Sequence, residues 1–247
     1  MRRHLYGFAG LVLFLLAWEL LVASGLVEST LLSPPSSIPA TLASEISLGF
    51  WQKMILASLA HYSVGLFLGS TLGVIAGVSV ALFPRFDAAQ AWVARLLRPI
   101  PPLAWIPFAI IWFGVSETAA AFIISIGIFW INYFTAHAAV RAVNPDLIEV
   151  AVSFGHKSLF RRLQKVILPA SAPGILSGIR AGLGQGWMTV VAAELFGITG
   201  IGQRMMEAAG LLATQVVIVY MLTIALLYGL SDIAFVTIQN RVLRWQR

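Results

Sequence analysis

Long stretches without charge are the feature that most constrains what this chain can fold into. Each stretch is long enough, as a helix, to cross about 30 Å of hydrocarbon, and lipid requires every backbone hydrogen bond to be made internally. Only Glu19 and Arg180 interrupt the windows that this criterion selects. Six windows are found: 5–24, 54–84, 99–116, 118–140, 174–193 and 208–231. We therefore predict an all-α polytopic membrane protein with six transmembrane helices.

The third window begins with the proline-rich run Arg98-Pro-Ile-Pro-Pro-Leu-Ala-Trp-Ile-Pro107. Proline lacks a backbone N–H and pushes the preceding residue toward extended conformations. The run therefore predicts an irregular or kinked entry over 99–107 rather than a regular helix.

Composition excludes an ordinary soluble domain. Hydrophobic residues make up 59% of the chain and charged residues 11%, whereas soluble domains carry about 25% charged residues. The absence of cysteine removes disulfides, thiolate nucleophiles and cysteine metal sites. The net charge of +6 could suggest nucleic acid, but the basic residues flank the predicted spans instead of forming one face, so we expect no nucleic-acid binding.

The basic residues also fix the predicted orientation. With a cytoplasmic N-terminus and six spans, the cytoplasmic segments carry Arg2, Arg3, Arg85, Arg95, Arg98, Arg141, Lys157, Arg161, Arg162, Lys165, Arg241, Arg244 and Arg247. Arg180 lies near the same side, so that only Lys53 and Arg204 fall outside, as the positive-inside rule demands. We predict that both termini are cytoplasmic. A cleaved secretory signal is the alternative for the first run, although Trp18 and Glu19 stand where a cleavage region would be.

We expect one transmembrane domain over 1–247 with two informative loops. The external loop, 25–53, contains a turn followed by a short interfacial helix over 40–50. The inner loop, 141–173, begins a helix at Asn144, which can cap, followed by Pro145. Gly155 should interrupt this amphipathic helix and Pro169 should end it.

Glycine recurs at every fourth position in the second and fifth spans. The two ladders are Gly65, Gly69, Gly73 and Gly77, and Gly174, Gly178, Gly182 and Gly186. Residues four apart share a helix face, so each ladder forms a groove that another helix can approach closely. Packing within one subunit is one interpretation. An interface between two copies, in the fifth span more than in the second, is the other.

Polar residues at membrane depth are candidates for a solute pathway, because they are costly in hydrocarbon. The predicted pathway residues are Gln185, Trp187, Thr189, Glu194 and Asn132. Hydrogen bonding between helices, or capping of a loop by Glu194, is the alternative. His61 and Tyr62 are weaker candidates, and Glu19 is expected to be a buried hydrogen-bonding partner.

The sequence contains no recognisable catalytic site. It has no metal-ligand pair at helical spacing, no Gly-x-Ser-x-Gly motif and no acid pair within membrane reach. The run Gly155-His-Lys-Ser158 is not a phosphate-binding loop, because His156 separates the glycine from the lysine. We predict no catalytic residue, no metal site and no directly bound cofactor.

Three stretches nevertheless resemble a known family. Glu149-Val-Ala151, Gly155 and Ile167-Leu-Pro169 resemble the Glu-Ala-Ala loop of ABC importer permeases. Residues 98–114, with PIPPLAWIPFAIIWFG, and 168–197, with LPASAPGILSGIRAGLGQGWMTVVAAELFG, are similar to the nitrate, sulfonate and taurine group of these permeases. The similarity covers almost the whole chain.

The resemblance implies a type I importer permease in the bacterial inner membrane. It implies a homodimer in contact with lipid, two cytoplasmic ABC ATPase subunits that hold ATP and Mg, and a periplasmic solute-binding protein. The residues that the resemblance assigns to ATPase coupling are Glu149, Ala151, Gly155, Leu159, Arg161 and Pro169. Sulfonates, taurine or nitrate are the implied solutes.

A self-contained, ion-coupled secondary transporter is the competing hypothesis. Such a transporter would carry paired broken helices and intramembrane charges. The matched glycine ladders fit this picture, but the chain has few carboxylates at mid-span.

Overall fold

The computed structural model describes the backbone of residues 2–28 and 30–246, and the side chains in that range except those of residues 2–5, 8 and 246. Every regular element among these residues is a helix. The α-helices are, in chain order, α1 (Arg2–Ala23), α2 (Ile38–Ser47), α3 (Phe50–Leu82), α4 (Pro84–Leu97), α5 (Ile106–Phe113), α6 (Glu117–Arg141), α7 (Pro145–Ser153), α8 (Leu159–Arg162), α9 (Leu168–Glu194), α10 (Ile201–Gly210) and α11 (Thr214–Val242). The charges predicted for Arg2, Arg3 and Arg247 fall on side chains outside this description.

All six predicted spans fall on helices, but not all are long. Four helical segments among the described residues are long and apolar enough to cross a membrane: Phe50–Leu82, Glu117–Arg141, Leu159–Glu194 and Thr214–Val242. The first predicted span lies on α1, whose described apolar part is Ala9–Ala23. The third predicted span holds only a 3₁₀ turn and α5.

The third span is the second half of a broken pair. Helix α4 and the segment Pro102–Phe113 pass the membrane-span test together, and the two are bent by 91° between them. The irregular entry predicted from the prolines is present: a non-helical stretch after Arg98 leads into a 3₁₀ turn over Pro102–Trp105. Helix α4 was not predicted, because its charged and apolar residues alternate over only fourteen residues.

The predicted boundaries of the sixth span are wrong. The charge-free window starts at Ala208, but that residue belongs to α10, a short helix that the sequence did not indicate. A turn separates α10 from α11, and Leu212 occupies the left-handed region there with φ 55°. Helix α11 then continues past Ser231 to Val242, because single charges such as Asp232 do not stop a helix.

The described chain divides into two compact units. The first comprises residues 2–28, 30–58 and 199–226, and the second comprises 59–198 and 227–246. The boundaries fall inside α3, between α9 and α10, and inside α11.

Polar contacts hold the first unit together. Glu19 accepts hydrogen bonds from the backbone N–H and the hydroxyl of Ser36, at 3.0 and 2.7 Å, as its predicted role requires, although its side chain is half-buried. The carboxylate of Glu45, in α2, accepts from Arg204 at 2.7 and 3.1 Å and from the Tyr220 hydroxyl at 2.9 Å. These bonds fix the short helices of the predicted external side on α11.

Helix α2 corresponds to the short helix predicted in the external loop. It begins two residues before the predicted start, because Pro39 occupies its first turn, where a missing N–H costs nothing.

The second unit is built around α6. Both glycine ladders pack on this helix: a Cβ at Gly69 would lie 2.6 Å from the Ser125 carbonyl oxygen, and a Cβ at Gly174 would lie 2.6 Å from the Ala139 Cβ. Asn132, which is fully buried, lies between the two ladders, near Gly73 and Gly182. Each groove therefore holds a helix of the same chain, and the alternative of a ladder reserved for a second copy is wrong for these faces.

Candidate functional site

The break between α4 and α5 opens a concavity in the second unit that is lined by Arg98 and Gln185 among others. Pro99, Pro101 and Pro102 cannot donate to a helical ladder, and Pro101 is extended at φ −66° and ψ 147°. The chain therefore stops being helical at the end of α4 and leaves its backbone beside α6 and α9. Non-helical backbone at membrane depth is tolerated only where it is buried in protein or lines a cavity.

This concavity is a groove of about 300 Å³, which we call the Arg98–Gln185 groove. Small-molecule sites have volumes from about 300 Å³ upward. Its walls are formed by Arg98, Pro99, Ile100, Pro101, Pro102, Ile126, Gly127, Trp130, Ile131, Phe134, Thr135 and Gln185. On α6 the lining residues run from Ile126 to Thr135, in the middle part of that helix.

Gly127 brings the three walls together. A Cβ at this position would lie 2.7 Å from Thr189 Oγ1 and 3.2 Å from Pro102 Cγ. Any larger residue would therefore push α6 away from both α9 and the proline turn. The glycine closes the outer end of the groove by close packing.

Of the five predicted pathway residues, the structure brings Gln185 to the groove. Thr189 lies one turn farther along α9 and is buried, with its hydroxyl donating to the Gln185 carbonyl at 2.8 Å. The Gln185 amide in turn donates to the Thr189 hydroxyl at 3.4 Å. Thr189 therefore orients Gln185 from behind the groove wall.

The other three predicted pathway residues lie between helices. Asn132 donates to the Ile128 carbonyl at 3.1 Å and to Ser70 at 3.4 Å. Trp187 is buried and stacks on Tyr62, with ring centres 4.4 Å apart. Glu194 pairs with His61. All three side chains tie α6 or α9 to α3 in the interior of the unit.

Arg98 is the groove residue that sequence reasoning assigned only to topology. Its guanidinium lies over the Phe134 ring, with Cζ 4.6 Å from the ring centre. The signal that could have found it is its position directly before the proline run, which places a basic residue next to the non-helical backbone of the groove.

The inner loop forms the predicted capped helix and break. The Asn144 side chain accepts from the Asp146 N–H at 2.9 Å and begins α7. The helix ends near Gly155, which adopts φ +88°, a conformation that glycine reaches without strain. The His156 N–H then donates to the Ala151 carbonyl at 2.9 Å and closes the turn.

The prediction that Pro169 ends the loop helix is wrong. A π-helical turn over Leu163–Ile167 connects α8 to α9, and Pro169 is the second residue of α9. The Leu168 N–H donates to the carbonyl of Leu163, five residues earlier. Pro169 lies in the first turn of α9, where a missing N–H is tolerated. Together with the wider π turn, this lets the helical segment run from Leu159 to Glu194.

The residues predicted to couple to the ATPase fall into two groups. Glu149, Gly155, Leu159 and Arg161 are exposed, whereas Ala151 is the buried residue of α7 and Pro169 is half-buried. Three apolar side chains of the same loop, Leu147, Val150 and Phe154, are also exposed, and Phe154 is 81% exposed. An exposed apolar cluster of this kind is typical of a protein-binding surface.

Comparison with known proteins places this geometry in context. Residues 69–247 match the protein family described as "Binding-protein-dependent transport system inner membrane component". The taurine transport system permease protein TauC of Escherichia coli K12 is 34% identical over 242 residues, which cover 95% of this chain and 87% of that protein. The putative aliphatic sulfonates transport permease protein SsuC of Bacillus subtilis 168 is 31% identical, covering 93% of this chain and 83% of that protein.

A solved structure shares the fold. A chain of the MetNI methionine ABC transporter, in inward-facing conformations, superimposes with a TM-score of 0.64 at 19% identity. The superposition covers 81% of this chain and 97% of the other.

Proposed function

The chain belongs to the family of binding-protein-dependent transport system inner membrane components, the permease subunits of ABC importers, and we propose that it carries a sulfonate or a related small oxyanion through the Arg98–Gln185 groove. The relatives support the solute class, because TauC is named for taurine and SsuC for aliphatic sulfonates, and both solutes carry a sulfonate group. The permease lies in the bacterial inner membrane.

One observation carries the proposed mechanism. The helical segment Leu159–Glu194 holds the coupling residues Leu159 and Arg161 near one end and Gln185 toward the other. At a rise of 1.5 Å per residue, Leu159 and Gln185 lie about 39 Å apart along this segment. A displacement at the inner loop is therefore carried to a wall of the groove along this one helical segment.

The exposed face of the inner loop provides the other half of the mechanism. A partner ATPase that binds Leu147, Val150 and Phe154 gains apolar contact on this side. Closure of two ATPase subunits on ATP and Mg then supplies the differential binding energy that shifts the permease between two states. Two copies of the permease, each offering one such loop, match two ATPase subunits. An external binding protein delivers the solute to the opposite side.

The direct test is uptake into proteoliposomes that contain this chain and its partner ATPase. We expect taurine or an alkanesulfonate to enter only when the loaded binding protein is outside and ATP is inside. Gln185→Leu should lower uptake per assembled complex, because it removes the amide from the groove. Met188→Leu, at an exposed position on the same helix, is the matched control. Uptake that follows an imposed proton gradient without the ATPase would contradict the proposal and favour a secondary transporter.

A further inference from the structure

The walls of the Arg98–Gln185 groove carry charge of one sign. Among the described residues that line it, Arg98 is the charged side chain, and no Asp or Glu is present. Trp130 and Gln185 are the other lining residues with side-chain N–H groups, whereas the Thr135 hydroxyl donates to the Ile131 carbonyl at 2.7 Å within α6. A groove with one cation and side-chain N–H donors is complementary to a small anion.

Arg98 has no carboxylate of the described residues beside it, unlike Arg180 and Arg204. Arg180 forms a two-pronged pair with Asp232 at 2.7 and 2.8 Å, and Arg204 pairs with Glu45. No carboxylate of the described residues lies within ion-pair distance of Arg98. Its guanidinium carbon lies over the Phe134 ring, and this cation–π contact does not pair the charge with an anion.

We propose that Arg98 is the anion-selecting residue of the groove, and this inference rests on the proposed function. The planar guanidinium offers paired N–H donors that match two oxygens of a sulfonate or similar oxyanion. The Gln185 amide lies in the same groove and offers a further N–H donor to the solute. Arg98 is exposed, so water weakens its attraction for the anion. The anion is therefore drawn toward the inner end of the groove and is still released from it.

Topology alone also accounts for a positive charge at this place, and the chain provides the control that separates the two explanations. Arg95 lies in the last turn of α4, three residues before Arg98, and contributes the same charge to the predicted cytoplasmic side. Its guanidinium lies 5.7 Å from the ring centre of Trp92, and Arg95 does not line the groove. Loss of either charge is equivalent for topology, whereas only loss of Arg98 changes the groove.

The experiment measures ATP-dependent uptake of taurine per mole of assembled complex in the reconstituted importer with its ATPase and binding protein. We expect Arg98→Gln to lower uptake by about tenfold or more, the effect of losing a charged hydrogen bond to the moving anion. Arg98→Lys should retain part of the rate, and Arg95→Gln should transport like the wild type. Equal rates for Arg98→Gln and Arg95→Gln would overturn the inference.

A second pair of variants keeps Arg98 in place. Ile100 lines the groove, so Ile100→Glu adds a carboxylate there, while Ile100→Gln adds a neutral side chain of the same shape. We expect the Glu variant to transport about tenfold less than the Gln variant, because its carboxylate pairs with Arg98 and repels the anion. Equal rates would overturn the inference even if Arg98→Gln does not assemble. A wild-type complex with no ATP-dependent uptake would instead refute the proposed function, and the role of Arg98 with it.

Discussion

The imidazole Nδ1 of His61 lies 3.0 Å from Oε1 of Glu194, and this contact joins α3 to the last residue of α9. The two side chains are 4% and 0% exposed. A buried carboxyl group needs a hydrogen-bonding partner, and the imidazole Nδ1 provides one. The pair therefore fixes the end of α9 predicted to be external, on the same helix that carries Gln185.

Removing one member of this pair should cost more than removing both. His61→Leu or Glu194→Leu removes this contact from the remaining side chain in a buried site, with an expected loss of about 3 kcal/mol, whereas the double variant removes both polar groups. The midpoint of thermal unfolding of the purified permease measures this. Glu149→Leu, at an exposed carboxylate, is the control. Additive effects of the two substitutions would contradict a direct interaction.

The glycine ladders predict a strict size limit where α3 meets α6. A Cβ at Gly73 would lie 2.6 Å from the Phe129 carbonyl oxygen and 2.9 Å from the Asn132 Cβ. Gly73→Ala should therefore lower the free energy of unfolding by about 1–3 kcal/mol through overpacking. Gly229→Ala in α11 is the matched control, because nothing lies within 4 Å of its added Cβ. A stable Gly73→Ala variant with an unchanged thermal midpoint would show that the two helices are farther apart.

Sequence patterns predicted where the helices of this fold lie better than they predicted which helices pack against one another. Charge-free windows located the long spans because a helix that crosses lipid needs apolar residues along its whole length. The spacing of the glycines identified one face of α3 and one face of α9, but periodicity does not say which helix fills a groove. The partner, α6, became evident only from the contacts of Ser125 and Ala139.

The candidate site was predicted in part for a similar reason. Gln185 was predicted because a polar residue at mid-span is costly, whereas the positive-inside rule accounts for Arg98 by topology and gives no sign of a role in a groove. Pro169 was misread because a proline in a first turn and a proline at a helix end look alike in sequence. The π turn before it decides between the two, and it follows from backbone packing.

The buried carboxylate of Glu45 predicts a pH dependence on the external side. Burial raises the pKa of Glu45, but hydrogen bonds from Arg204 and Tyr220 and the charge of Arg204 outweigh this, and the net pKa is lowered. A lowered carboxyl pKa stabilises the folded state above the unfolded pKa of about 4.3, and this stabilisation is lost as the pH falls through the lower folded pKa.

The pH dependence is measured against Glu45→Gln. At pH 7 the variant should lose about 1.5–3 kcal/mol, because it removes charged hydrogen bonds from Arg204. The difference in thermal midpoint from the wild type should stay constant down to about pH 5 and shrink below about pH 4. Glu207→Gln is the control, since its contact with Arg204 is 3.4 Å long and half-exposed. A difference that grows on acidification would contradict the assignment.

Substitutions on the exposed surface of the inner loop should weaken binding of the ATPase subunit. Phe154→Ser removes apolar contact area, Glu149→Lys reverses a charge, and Gly155→Asp places a charged side chain at φ +88°. We expect each variant to insert normally and to retain less co-purified ATPase. Leu31→Ser, which changes a residue 67% exposed on the predicted external loop, should retain the wild-type amount. Normal co-purification of all three inner-loop variants would place the ATPase elsewhere.

The most direct test of the account is the rate of ATP hydrolysis by the reconstituted complex of this permease and its ATPase. The binding protein is added empty and then loaded in turn with taurine, an alkanesulfonate, nitrate and a neutral vitamin precursor. An importer of sulfonates predicts stimulation by the binding protein loaded with taurine or the alkanesulfonate and little by the neutral solute. Stimulation by the neutral solute alone would contradict the oxyanion assignment, and failure to form any complex with the ATPase would contradict the importer itself.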